Sequence, residues 1–186
     1  MVLKPITQVP IRFLNPTQIL SQLDIKEGMT VADLGCGSGF LTLVSAKLVG
    51  TEGVVYAVDI QKSVISELRS KIKLYALRNI KPIRANLEIL GQTKIADESV
   101  DFTLIVHVLH QTNKRKEILK EAKRMLKFKG KALIIDWKKT ATPIGPPVKI
   151  RVDKETVRQE AEEIGLKYLN DIKTDEYHFG FLMEKV

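Results

Sequence analysis

The sequence predicts an α/β domain, a doubly wound and mostly parallel sheet with helices on both faces. Two observations carry this. Short β-branched or apolar runs alternate along the chain with stretches whose apolar residues recur at helical spacing. A turn with three glycines closes the first of those runs and opens a helix. A right-handed crossover at each strand–helix–strand step then places helices on both sides of the sheet.

Taken in order, Asn15-Pro16 supplies an N-cap and a first helical residue for a short leading helix through Ile19, Leu20 and Leu23, which packs beside the first strand. The strand runs are MTVADL from Met29, VVYAV from Val54, IKPIR from Ile80, DFTLIV from Asp101 and KALIID from Lys131. Each is short and apolar enough to be a buried strand. Helical faces are clearest at Val64, Ile65, Leu68, Ile72 and Tyr75, and at Ile118, Leu119, Ala122, Met125 and Leu126. Asp153 caps a helix ending at Gly165. LKYLNDIKT and YHFGFLMEKV follow as two strand-like runs joined by an Asp-Glu turn, so the last strand is expected to be antiparallel.

Composition bounds the function. A chain of 186 residues suits one domain, 1–186, of which 1–24 form an N-terminal extension and helix. Cys36 is the one cysteine, which excludes an intramolecular disulfide and a Cys-rich zinc site, and no metal site is expected. Pro5 and Pro10 interrupt the N-terminus before a signal-type apolar stretch develops, and no run is long enough to span a bilayer. The expected location is the cytoplasm. The formal charge is +8, concentrated between Lys114 and Lys131. That run reads as a solvated helix face, or as a surface for nucleic acid or acidic protein. Only Phe128 is interleaved there for base stacking.

The chemistry centres on VADLGCGSGFLT, residues 31–42: a strand, Asp33, glycines at 35, 37 and 39, then a helix. Glycine lets the turn take positive φ and a ligand lie against the backbone. Phe40 stands where the last glycine of a dinucleotide-binding G-x-G-x-x-G pattern belongs. Asp59, followed by Ile60, ends the second strand, where a carboxylate can accept hydrogen bonds from both ribose hydroxyls.

These motifs resemble the class I S-adenosylmethionine (SAM)-dependent methyltransferases, most closely the small type 11 group that includes the ubiquinone/menaquinone methyltransferase-like enzymes. The resemblance runs from about Asn15 to the C-terminus and takes in Asp33 to Gly39, Asp59, Ala85-Asn86-Leu87-Glu88, Ala96 to Phe102 and Val106 to His110. It implies a Rossmann-like sheet of seven strands, order 3-2-1-4-5-7-6, with the last strand antiparallel. It also implies SAM as cofactor and S-adenosylhomocysteine as product, held by Asp33, Gly35, Cys36, Gly37, Gly39, Asp59, Ile60, Asn86, Leu87 and His107. Asn86 would face the adenine amino group and Leu87 the ring. Asn86 replaces the usual Asp, and Leu126-Lys127-Phe128-Lys129-Gly130 replaces the family's Leu-Lys-Pro-Gly-Gly turn.

Because the cofactor carries an activated methyl group, the protein has mainly to position and desolvate. His107, His110 and Asp136 lie at strand ends and are the candidates for a general base. Trp137 is read as a wall for an apolar acceptor, the proline-rich segment up to Val152 as a further wall or a plain connection, and His178 as structural or exposed. The absence of an Asn/Asp-Pro-Pro-Tyr/Phe motif after the fourth strand argues against adenine or glutamine N-methylation. A lone cysteine argues against pyrimidine C5 and multi-cysteine arsenite methylation. A small-molecule acceptor is the leading expectation. RNA or protein methylation, a binding module without turnover, and a nicotinamide-dinucleotide enzyme are the alternatives.

Overall fold

A computed structural model describes residues 14–186. Expectations about the first thirteen residues, the early prolines among them, lie outside the described residues. Asn15 caps the first helix, its Oδ1 accepting from Gln18 N at 3.2 Å, and Pro16 opens α1, Pro16–Leu20. The order that follows is β1 Thr30–Leu34, α2 Thr42–Leu48, β2 Val54–Asp59, α3 Lys62–Leu74, β3 Ile80–Arg84, β4 Val100–Val106, α4 Arg115–Met125, β5 Leu126–Trp137, α5 Lys154–Glu163, β6 Leu166–Asp171 and β7 His178–Lys185. One sheet of seven strands has the order β3-β2-β1-β4-β5-β7-β6. β1 to β5 are mutually parallel, and β7 runs antiparallel to both β5 and β6. This is the fold class, strand order and antiparallel last strand expected above.

Alternation along the strands builds the two sides of the core. Ala132 and Ile134 of β5 join Leu119, Ala122 and Met125 of α4 and Val157 and Ala161 of α5 on one face. Leu133 and Ile135 join Ile19 and Leu20 of α1, Ala46 of α2 and Ile65 and Leu68 of α3 on the other. Pro82 interrupts β3, an edge strand, where a missing N–H is tolerated.

Three boundaries differ from the sequence expectation. The basic run is not one helix: α4 stops at Met125, and Leu126 already pairs with Val100 in β5. Residues 127–130 then loop out opposite Asp101 before Lys131 pairs with Phe102, with Lys129 at φ +61 and Gly130 leaving only 2.9 Å between a Cβ and Lys127 O. The motif departure thus becomes a bulge within the strand rather than a turn before it. Tyr75 falls past the end of α3 and is exposed, because the helix terminates at Leu74. Six residues, 172–177, separate β6 from β7 in place of a tight Asp-Glu turn.

The charge of the basic run is largely spent within the molecule. Arg115 is bidentate to Glu160, Lys116 pairs with Glu163, Lys114 with Glu88 and Lys127 with Asp101. Arg124 binds Glu121, Thr93 and the Ile95 carbonyl, and Glu121, wholly buried, also accepts from Gly91 N and Thr93 Oγ1. These two side chains pin the segment between β3 and β4 to α4.

Candidate functional site

A crevice of about 810 Å³ opens at the carboxyl edge of the parallel strands, where open α/β sheets hold ligands. It is large enough for a nucleoside-sized ligand together with a second small molecule. Asp33, Gly35, Cys36, Gly37, Asp59, Ile60, Asn86, Leu87 and His107 all line it. Gly39 does not, and neither do His110 or Asp136. Among the described residues, no group of three or more His, Cys, Asp or Glu is placed to hold a metal ion.

The glycine turn divides its tasks unequally. Gly35, Gly37 and Gly39 all have positive φ, +80, +50 and +84. A Cβ on Gly35 would lie 2.4 Å from Val108 Cγ2, and one on Gly39 would lie 2.6 Å from Leu68 Cδ1, whereas one on Gly37 meets nothing within 4 Å. Only Gly37 therefore leaves space for a ligand against the backbone; the other two make room for the protein's own side chains. The N–H groups of Gly35 and Cys36 both donate to Val58 O, at 2.8 and 2.9 Å, which ties the turn to β2.

Asp59 sits beneath the open glycine. Its Oδ2 accepts from Gly37 N at 3.1 Å and its Oδ1 from Gln61 N at 2.9 Å. Each carboxylate oxygen keeps acceptor capacity for a vicinal diol. Asp33 is buried and accepts from Thr42 Oγ1 at 2.5 Å; burial pushes its pKa up to about 6, against the opposing hydrogen bonds from Thr42. A cation placed beside it would restore its charge. Burial also pushes the Cys36 thiol up, with the Asp33 and Asp59 charges adding, so its thiolate is suppressed. Asn86 Oδ1 accepts from Glu88 N at 2.9 Å, leaving one lone pair for a ligand. Leu87, Ile60 and Phe40 add apolar lining.

The other wall is aromatic. His107, at φ +59, stacks on Trp137 with ring centroids 5.2 Å apart; His178 lies 4.6 Å from His107 and 4.1 Å from Trp137. Burial, with His178 adding, lowers the His107 pKa to about 4, so its ring is neutral near pH 7. His110 instead turns its Nδ1 to Asp136 Oδ1 at 2.7 Å. The fully buried Asp136 also accepts from His110 N and Trp137 N. This pair fastens the segment after β4 to the end of β5, while the crevice face of β5 is presented by Trp137.

Two participants escaped the sequence reading. His178 lines the crevice because β7 is antiparallel, which brings its first residue to the edge where the parallel strands end, opposite Trp137. Of the expectation that it is structural or exposed, exposure is excluded, since His178 is 2% exposed and its ring lies in the crevice wall. The signal was available: an antiparallel last strand must begin at that edge. Arg151, nearly fully buried, gathers the proline-rich segment, bonding Pro146 O, Lys138 O, Thr140 O, Thr142 Oγ1 and Ile144 O while its guanidinium lies 5.3 Å from the Trp137 ring. So held, the segment contributes Ile144 and Gly145 to the crevice, and a Cβ on Gly145 would lie 2.6 Å from Trp137 Cζ3.

Comparison with known proteins gives the family and supports the fold. A family model described as a methyltransferase domain matches residues 25–178. The crystal structure of a SAM-dependent methyltransferase from Aquifex aeolicus superposes with a TM-score of 0.86 at 29% identity, covering 94% of this chain and 91% of that one. The ubiquinone/menaquinone biosynthesis C-methyltransferase of Citrobacter koseri is 31% identical over 116 residues, 62% of this chain and 45% of the relative. An arsenite methyltransferase of Halobacterium salinarum is 31% identical over 114 residues, 61% of this chain and 28% of the relative. The chain thus spans less than half the length of these two curated relatives. With the family model matched over residues 25–178 and the strand order shared, the chain belongs to the methyltransferase-domain family, in the class I fold of the SAM-dependent methyltransferases.

Proposed function

We propose that this chain, as a single domain, transfers the methyl group of SAM to a small, largely apolar acceptor. One observation carries the reading: the open face of Gly37 above Asp59 and the ring wall of His107, Trp137 and His178 belong to a single crevice. Asp59 takes the ribose hydroxyls, Leu87 and Ile60 cover the adenine, and Asn86 offers its remaining lone pair to the adenine amino group. Gly35, Cys36 and Gly37 form the backbone beneath the methionyl part, with Gly39 setting the turn, and Asp33 faces its ammonium side. His107 borders the methyl group. When bound, the cofactor supplies an activated methyl on a sulfonium. The chain's own work is to orient the two reactants and exclude water.

A small acceptor suits a crevice walled by Val106, Val108, Trp137 and Ile144. The quinone-precursor enzyme among the relatives is in keeping with this. Against an arsenite acceptor stands the single cysteine, Cys36, buried with a suppressed thiolate. No described helix is long and apolar enough to cross a membrane, and a reduced Cys36 suits a cytoplasmic setting.

Thermal shift with SAM, S-adenosylhomocysteine and NAD tests the cofactor. The two sulfur ligands should each add about 2.7 kcal/mol at a hundred times their dissociation constants, and NAD nothing. Asp59→Ala should weaken SAM by roughly ten- to a hundredfold, as expected for hydrogen bonds to a charged acceptor. Stabilisation by NAD alone, or unchanged SAM affinity in the variant, refutes the assignment. Transfer of radiolabelled methyl into fractionated small molecules from cell extract then identifies the acceptor.

A further inference from the structure

His178 is 2% exposed, and its Nδ1 lies 2.6 Å from Asp175 Oδ1. The same carboxylate oxygen accepts from Tyr177 N at 2.9 Å and His178 N at 3.1 Å. The carboxylate therefore selects the tautomer that donates from Nδ1 and leaves Nε2 a bare acceptor. Among the described residues that Nε2 is buried and has no hydrogen-bond partner, and the same is true of His107 Nε2. Both residues line the crevice, and buried polar atoms ordinarily find partners. Two unmet nitrogens in an otherwise apolar wall, beside the flat face of Trp137, mark a place built for a ligand that brings its own polar hydrogen. The dyad of an imidazole oriented by a carboxylate is also the arrangement that general bases share.

We propose that His178, positioned by Asp175, accepts the proton of the methyl-receiving molecule, and that this molecule presents an O–H or N–H on a flat, largely apolar ring. This rests on the methyl-transfer reading above. The charged and titratable groups facing His178 are Asp175, Asp136, Arg151 and His107. Burial lowers its pKa against the pull of Asp175, so the ring is neutral and basic rather than charged near pH 7. As a lone pair of the acceptor heteroatom forms the bond to the methyl carbon, the pair of the breaking carbon–sulfur bond stays on sulfur. The heteroatom keeps the pair of its O–H or N–H bond while the proton passes to Nε2, which returns it to water after the product leaves.

The test measures binding of 2-naphthol and of 2-methoxynaphthalene, the same ring without the acidic proton, to the full chain loaded with S-adenosylhomocysteine. The naphthol should bind about tenfold more tightly, the worth of one hydrogen bond to a buried unpaired acceptor. In His178→Phe the two probes should bind equally. Asp175→Asn should narrow or reverse the preference, because an amide can donate to Nδ1 and move the ring hydrogen to Nε2. Should His178→Phe fail to fold, Asp175→Asn decides alone. Equal affinities in the unaltered protein, no binding of either probe, or a preference that survives both substitutions overturns the proposal. S-adenosylhomocysteine affinity is read in parallel. Its loss in the unaltered protein removes the methyl-transfer reading itself, whereas its retention with no naphthol preference removes only the role of His178.

Discussion

At the scale of the residue, identical amino acids in one motif do different work. Gly37→Val adds a side chain into open space, so SAM affinity should fall more than a hundredfold while stability drops only by the cost of positive φ, about 1–2 kcal/mol. Gly35→Ala reverses the pattern, because its Cβ is driven against the stiff Val108 and the fold suffers first. Calorimetric SAM titration beside urea unfolding separates the two outcomes. The proposed place of Asp33 beside the cofactor's ammonium predicts a pH dependence of binding. Its carboxyl titrates near pH 6 in the free protein, and an ammonium partner requires the ionised form. SAM affinity should therefore rise with pH and level off above about pH 6.5, with binding about tenfold weaker at pH 5 than at pH 7.5. Asp33→Asn should flatten that dependence.

At the scale of the element, the wall-forming segment after β5 has no regular structure beyond one turn at Val148–Ile150, so its shape rests on Arg151. Arg151→Lys offers three donors in place of five and loses the stacking on Trp137. The expected result is a loss on the order of 2 kcal/mol, faster amide exchange across residues 140–146, and weaker acceptor binding with SAM affinity preserved. Exchange confined to the termini would refute this role. The α4 surface shows the opposite case: in a run that reads from sequence as an open basic face, Arg115 and Lys116 are matched by α5, Lys114 by Glu88 and Lys127 by Asp101.

At the scale of the whole molecule, two titratable groups in the crevice, buried Asp33 and half-buried His107, give stability opposite dependences on pH. His107 titrates near 4 when folded and near 6.5 when unfolded, so its contribution is present above pH 6.5 and lost as pH falls toward 4. Asp33 titrates near 6 when folded and near 3.8 when unfolded, so its contribution is full below pH 3.8 and lost as pH rises through 6. Each amounts to something on the order of 2 kcal/mol between pH 7 and pH 4.5, and the two nearly offset. Relative to the unaltered protein, His107→Asn, which tolerates the left-handed backbone, should gain stability over that interval. Asp33→Asn should lose it, both read by urea unfolding across the pH series.

By itself the sequence determined the order of the elements and the glycine turn at the sheet edge, because those signals are local: alternating apolar periods, a cap at Asn15, glycines one residue apart, an acid at a strand end. Even there, packing decided which glycine keeps an open face, since Val108 and Leu68 come from other segments. Only the tertiary structure places His107 and His178 in the crevice wall and leaves His110 and Asp136 out of its lining. Which imidazole reaches the crevice depends on β7 returning antiparallel beside β5 and on Asp136 drawing His110 to itself. Those contacts join residues far apart along the chain, and no periodicity within one segment encodes the partner that another segment brings.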